Sequence, residues 1–488
     1  MPRAAPTDSV AGATAPPLDG RTWLALAGIV ALGAALRFYG LDRQSMWNDE
    51  LGMIQDTAWP TLRQVFMIGP KDSHLPGYWI IMYVWRHAFG TSEVAMRLPS
   101  ALFGIATIPA MFALGRRWYG RCEGLIAAAI TAVAWMPLYF SQEARPYAML
   151  LLGAVLSTAW LTDVVVPLRA GSAPPRRAVF LYGAAAIGTA YSHYFGVAFI
   201  GLQAATATLL LIRRPRALLP LAAVFGAVLL TFLPALYRTW FLAPKPPDWL
   251  KRPHLDALWA LLVFFFDRSD SFVWLVLALG AAATLRTFVR RSALAPATWL
   301  LIAWLVIPVV STYLYSQWAP PCFLERTLIF VAPPAYLLLA RALMQLPMPQ
   351  VSATALVGLF LVHVVGVQAY YTTPTKGQFR EAAAYLIAHD QGDQPALLFA
   401  CAWNVSRYNY YLERLGSSRR VERTIYNAAD AAAVFAAVAD RQPTDVWVLE
   451  GHRDCTPELL RALGERLALV DEQHFINADV WRYRVRGP

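Results

Sequence analysis

Apolar runs of about 17 to 21 residues recur along most of this chain, and that is the length an α-helix needs to cross the hydrocarbon core of a bilayer. They are centred near 22–39, 97–115, 123–139, 147–166, 178–192, 196–212, 217–237, 272–285, 296–314, 326–343 and 351–370. Inside lipid every backbone N–H and C=O must be satisfied within the segment, so such runs have one solution, the helix. Charged residues are only 15% of the 488, against about 25% in soluble globular proteins. That scarcity excludes an ordinary cytosolic protein, an intrinsically disordered chain and a secreted disulfide scaffold. The sequence predicts a polytopic α-helical membrane protein of about eleven transmembrane helices.

A formal net charge of +11 suggests nucleic-acid binding when read alone. Its placement argues otherwise. The arginines gather between apolar runs, at Arg116, Arg117 and Arg121, at Arg169, Arg176 and Arg177, at Arg213, Arg214 and Arg216, and at Arg286, Arg290 and Arg291. They fall on every second loop, the positive-inside pattern, where they set topology and meet anionic headgroups. Residues 1–20, rich in Pro, Ala and Thr, read as a disordered cytoplasmic tail. Arg37 lies where a signal cleavage site would fall, so the first run reads as a retained helix. Counting sides puts the 40–96 loop outside, together with Ser141–Tyr147, Tyr191–Gly196, Tyr237–His254 and Ser316–Glu325. Leu255–Phe266 is too short to span and reads as an interfacial or re-entrant helix. Odd parity delivers the C-terminal segment to the outside as well.

Beyond Tyr371 the apolar runs shrink to strand length. Helical patterns at Phe379–His389, Val405–Arg414, Ala428–Asp440 and Pro457–Leu467 alternate with strand patterns at Ala396–Ala400, Asp445–Leu449 and Val480–Val485. That order predicts a small α/β domain over 372–488, after a membrane domain over 21–371. Cys401 and Cys455 each follow a predicted strand. A disulfide joins them if the compartment is oxidising, and two free thiols are the alternative.

Ionisable residues at a membrane boundary are costly and mark candidate sites. Asp49 and Glu50 follow Trp47 just past the first run; the plainer reading is a solvated loop start with an aromatic anchor. Ser73-His74-Leu75-Pro76-Gly77-Tyr78-Trp79 opens an aromatic stretch resembling an interfacial helix. Glu143, Arg145 and Tyr147 share one short turn, His193 sits in another, and Arg326 begins a late span. Arg97 lies at a helix start, where it also fits a snorkelling role. All of these fall on one face of the predicted topology.

Taken together, W-x-D-E after the first span, H-x-P-x-Y-W, R-L-P-S at Arg97–Ser100, Y-x-S-Q-E-A-R-P-Y and S-H-Y-F-G resemble the bacterial GT-C glycosyltransferases. The nearest likeness is to the family-39-like group of protein O-mannosyltransferases and the lipid A aminoarabinose transferase. It covers residues 20–200 best, weakens through Arg326, and does not reach the C-terminal domain. The resemblance implies inverting transfer of a sugar from a polyprenyl-phosphate donor to a glycan, lipid or protein hydroxyl at the periplasmic face of a bacterial inner membrane. It implies Asp49 as general base, with Glu50 orienting it or the acceptor. Arg145, then Arg326 and Arg97, would hold the donor phosphate, and His74, Tyr78, Glu143, Tyr147 and His193 would line the substrate pocket. No cofactor is obligatory, although Glu50 and His74 have the chemistry of divalent-metal ligands. The implied partners are donor, acceptor and bilayer, and no nucleic acid. The rival is a transporter or lipid flippase, against which stand the one-sided polar groups and the lack of an internal repeat.

Overall fold

Long apolar helices do follow from the long apolar runs. The structure, a computed structural model, describes residues 17–68, 75–242, 250–289, 294–346, 349–390, 394–452 and 454–485. Most of the expected tail and the candidate residue His74 lie outside the described residues. The chain divides into two compact units, one of Met1–Tyr39 with Asp56–Tyr371 and one of Gly40–Gln55 with Thr372–Pro488.

In the first unit, nine described helices are long and apolar enough to cross a membrane: Gly20–Phe38, Glu93–Trp118, Tyr147–Ala170, Tyr194–Leu211, Pro215–Arg238, Asp270–Val289, Pro296–Trp318, Glu325–Met344 and Thr354–Thr372. Large apolar side chains such as Leu24, Phe180, Trp274 and Phe288 stand exposed, as expected of surfaces that lipid covers. The chain is a multi-pass membrane protein. The expected count of about eleven becomes nine or ten among the described residues. The run at 178–192 forms helix Arg176–Ser192 of 17 residues, about 25 Å at 1.5 Å per residue, short of a 30 Å core. Asp256–Phe265 is a ten-residue apolar helix, too short to span.

The run at 123–139 is broken. Helix Arg121–Val133 stops and Trp135–Ser141 departs at 56°, because Pro137 lacks an N–H and crowds the preceding turn. The break strands backbone groups in apolar surroundings, and distant charged side chains take them up. Arg37, fully buried, donates from Nη1 and Nη2 to the carbonyls of Ala132 and Thr131, each at 2.9 Å, and from Nε to Ser141 Oγ at 3.1 Å. The amide of Trp135 donates to Asp267 Oδ1 at 2.8 Å, and Asp267 is also paired with His363. Arg37→Leu is therefore expected to lower stability by about 2–5 kcal/mol, since buried acceptors are left unmade; an unchanged midpoint in reversible detergent unfolding would refute this. Close packing at the start of helix Arg121–Val133 depends on small residues. A Cβ on Gly115 would lie 2.8 Å from the Cα of Gly124.

The second unit contains a five-stranded sheet. The strands are β1 (Ala396–Cys401), β2 (Arg423–Ile425), β3 (Asp445–Leu449), β4 (Leu467–Gln473) and β5 (Val480–Val485), in the order β2-β1-β3-β5-β4. β2, β1 and β3 run parallel, while β5 is antiparallel to both of its neighbours, β3 and β4. β3 is buried throughout and β1 nearly so, which explains their apolar sequences, and the one acid in them, Asp445, is paired with Arg482. Neighbouring parallel β1 and β3 bring Cys401 and Cys455 together, and the two form a disulfide with a Cα separation of 5.3 Å.

The segment 40–55, expected as part of a loop of the membrane domain, packs within this second unit. Gln44 Oε1 accepts from the amides of Thr375 at 2.9 Å and Lys376 at 3.1 Å. Arg380 donates to the carbonyls of Asp42 and Arg43, both at 2.7 Å. The amide of Met46 donates to Tyr411 Oη at 2.6 Å.

Candidate active site

Helix Asn48–Asp56 begins where Trp47 gives its carbonyl to the amide of Leu51. Asp49 and Glu50 fill its first turn, where the helix dipole favours negative charge. Their environments differ. Glu50 is fully buried against Lys376, Nζ to Oε2 at 3.2 Å, with both side chains at most 1% exposed. Asp49 is half-buried and acts electrostatically on His452, as do Asp454 and Arg407. Burial first, and Arg407 after it, holds the His452 imidazole below the usual histidine range, while Asp454 and Asp49 pull the other way. Lys376→Met would remove the buried cation beside Glu50, at a cost of about 3–5 kcal/mol. Glu50→Gln in the same chain is expected to recover most of that loss, as read by thermal unfolding of the purified protein.

A second group of candidates gathers in the transmembrane unit. The Glu143–Tyr147 turn is closed by the Arg145 amide donating to the Glu143 carbonyl at 2.8 Å. Gln142 fixes it to the end of the first helix, Nε2 donating to the carbonyls of Arg37 at 3.0 Å and Tyr39 at 2.8 Å. Tyr370 Oη donates to Gln142 Oε1 at 2.7 Å. Arg145 is buried with its guanidinium 5.7 Å above the centre of the Trp79 ring, a cation–π contact that holds it over an apolar floor. Ser100 Oγ donates to the Arg145 carbonyl at 3.2 Å and lies 2.7 Å from Tyr78 Oη. Gly77 lets the helix carrying Tyr78 approach closely, since a Cβ there would lie 2.6 Å from the carbonyl oxygen of Tyr191.

His193, between two helices, completes this group. Its Nδ1 accepts the amide of Phe195 at 3.2 Å, its ring stacks on Phe195, and it lies 6.3 Å from the ring of Tyr147. Burial, reinforced by the charges of Arg145 and Arg326, pushes its pKa down to about 3. Two guanidiniums therefore bear on one neutral imidazole, an arrangement suited to an anion. Below the ordinary histidine pKa the unfolded chain takes a proton that the folded chain refuses. Stability is thus expected to fall as pH drops from about 6.5 toward 3. A weaker acid dependence in His193→Gln checks this.

The transmembrane unit brings together Tyr78, Arg145, Tyr147, His193 and Arg326. Glu143 is buried in the Arg145 turn, and buried Arg97 lies one helical turn before Ser100. Asp49 and Glu50 belong to the other unit, and His74 is outside the described residues. Among the described residues, no three His, Cys, Asp or Glu side chains gather to hold a metal.

Sequence reasoning missed Lys376, His452, Asp454, Arg407 and Arg268. Lys376 left one signal, as one of only four lysines in an arginine-rich chain. Arg268 follows Asp267 in a pair of left-handed residues, with its guanidinium 5.0 Å above the Trp135 ring. Nothing in the local sequence marks it.

Among solved structures, the chain resembles ArnT from Cupriavidus metallidurans in the apo state, at TM-score 0.62 and 15% identity, covering 95% of this chain and 98% of that one. The same protein bound to undecaprenyl phosphate matches at TM-score 0.61 and 14% identity, with the same coverage. The arabinofuranosyltransferase AftD from Mycobacteria matches at TM-score 0.50 and 17% identity, over 97% of this chain and 40% of that one. No family model and no curated protein sequence matches the chain. At these identities the likeness establishes the fold, which this chain shares with ArnT over nearly its whole length.

Proposed function

We propose that this protein transfers a sugar from a polyprenyl-phosphate carrier to a hydroxyl of a lipid or glycan acceptor, with a protein acceptor as the third class. The reaction would take place at the periplasmic face of a bacterial inner membrane, the N-terminus being cytoplasmic and domain 372–488 periplasmic. The observation that carries this reading is the shared fold over nearly all of ArnT, one structure of which holds undecaprenyl phosphate. The gathering of Arg145, Arg326 and neutral His193 supports it. A transporter reading draws no support from either neighbour.

In the proposed reaction the acceptor oxygen attacks the anomeric carbon as the carbon–oxygen bond to the lipid phosphate breaks. The hydroxyl proton passes to the Asp49 carboxylate. Electrons of the broken bond leave on the phosphate, whose growing charge Arg145 and Arg326 offset, with Arg97 behind them. Attack from the face opposite the leaving phosphate inverts the anomeric centre. Glu50, neutralised by Lys376, is a positioning residue that fixes the first turn of the helix carrying Asp49. Tyr78, Glu143, Tyr147 and His193 supply polar and aromatic contacts for the sugar, with His74 assigned to the same pocket. The reading gives no metal an obligatory role, and activity is expected to survive chelation.

The test is transfer of radiolabelled sugar from purified undecaprenyl-phosphate donors into membrane lipid and glycan fractions, measured with the full chain. Label in either fraction supports the proposal. Absence of label from every donor, with movement of lipid or solute across vesicles, would replace it with the transporter reading.

A further inference from the structure

The segment that leads into Asp49 and the residues that follow β3 are attached to one helix. Tyr408 and Tyr411, three residues apart on helix Val405–Arg414 and so on one face, make the two attachments. Tyr408 Oη donates to the carbonyl of Glu450 at 2.6 Å, and Tyr411 Oη receives the amide of Met46 at 2.6 Å. Arg407 projects from the same helix and is buried. The loop is fixed at both ends. The amide of Cys455 donates to Glu450 Oε1 at 3.1 Å, and the disulfide ties Cys455 to β1. Buried Asn404 adds a clamp, donating to the Cys401 carbonyl at 2.7 Å and to Asp454 Oδ2 at 3.2 Å.

At the centre of the loop stands His452, with φ of 58°. Only a few per cent of non-glycine residues take this left-handed conformation, and histidine is among those that tolerate it best. Its Nε2 is buried and has no hydrogen-bond partner among the described residues. Folded proteins rarely leave such an atom unsatisfied unless a ligand or water completes it. His452 thus sets a buried, unused ring nitrogen in the electrostatic neighbourhood of Asp49.

We propose that His452 binds the acceptor, its Nε2 hydrogen-bonding the hydroxyl-bearing group whose proton Asp49 removes. This rests on the reading of Asp49 as general base. The C-terminal unit then contributes directly to acceptor recognition, and the disulfide serves to hold His452 in place. The acceptor class it fits is a polar hydroxyl group, as on a sugar or a glycolipid headgroup, with lone pairs for a ring N–H and a proton for a carboxylate.

The experiment follows two products of one donor. Undecaprenyl phosphate carrying a radiolabelled sugar is presented in phosphatidylethanolamine–phosphatidylglycerol vesicles containing a bacterial membrane lipid extract. Label is counted in the lipid fraction and as free sugar released to water. His452→Ala is expected to lower transfer to lipid about tenfold or more, with release to water and donor KM unchanged. His452→Gln, whose amide nitrogen reaches the place of Nε2, is expected to restore much of the transfer. Thermal midpoints equal to wild type show that the variants fold. Equal loss of both products, or loss of neither, would overturn the acceptor role while leaving the base assignment intact. Full transfer by Asp49→Asn would remove the base assignment, and this proposal with it. Wild-type label in neither product would remove the glycosyltransferase reading itself.

Discussion

Asp49→Asn is expected to lower sugar transfer by about 10²- to 10⁴-fold, the usual contribution of a positioned general base, with donor binding essentially unchanged. Asparagine keeps the size of the side chain and its place in the first helical turn, so packing against the C-terminal unit survives. What it loses is the ability to take a proton. The loss should fall on kcat and on kcat/KM equally, because the missing interaction belongs to the transition state. Glu50→Gln gives the contrast, since Glu50 is buried against Lys376 and should affect stability more than the chemical step. Asp49→Asn with wild-type kcat would eliminate Asp49 as base.

Arg145→Gln is expected to lower kcat by about 10²- to 10³-fold, the scale seen when one preorganised donor to a developing anion is removed. The guanidinium is held over Trp79 with its backbone carbonyl tied to Ser100, so it spends little conformational freedom on binding. Arg145→Lys should restore only part of the rate, because a lysine ammonium lacks the planar fork that meets two phosphate oxygens. Arg326→Gln should show a smaller loss. The double variant should fall short of the product of the two, since both charges act on one neighbourhood around His193. Independent, fully multiplicative losses would separate the two arginines and undo the phosphate assignment.

The membrane part of the fold was legible because hydropathy over some twenty residues is a local property that lipid reads directly. The break at Ala134 was not, because Pro137 interrupts hydrogen bonding without lowering hydropathy, and the compensating Arg37 is about a hundred residues away. In the C-terminal unit, β1 and β3 announced themselves by apolar runs. β2 has three residues and β4 ends in Asp-Glu-Gln, so neither carries a pattern that survives without the sheet beside it. The candidate residues in the short turns stood out as charges beside apolar runs. Lys376 gained its meaning from Glu50, 326 residues away, and His452 gained its proposed role from Asp49 near the other end of the chain.

The second unit is built from two stretches of chain that are not made together. Glu50 and Lys376 are 326 residues apart in sequence. At about 5–20 residues per second of synthesis, roughly 16 to 65 s separate the appearance of the acid from that of its partner. During that interval the spans from Glu93 to Thr372 are translated. The contact between Glu50 and Lys376 forms only after that interval. The residue proposed to do the chemistry is therefore among the first translated and among the last set in place, so an incomplete chain would lack a finished catalytic base.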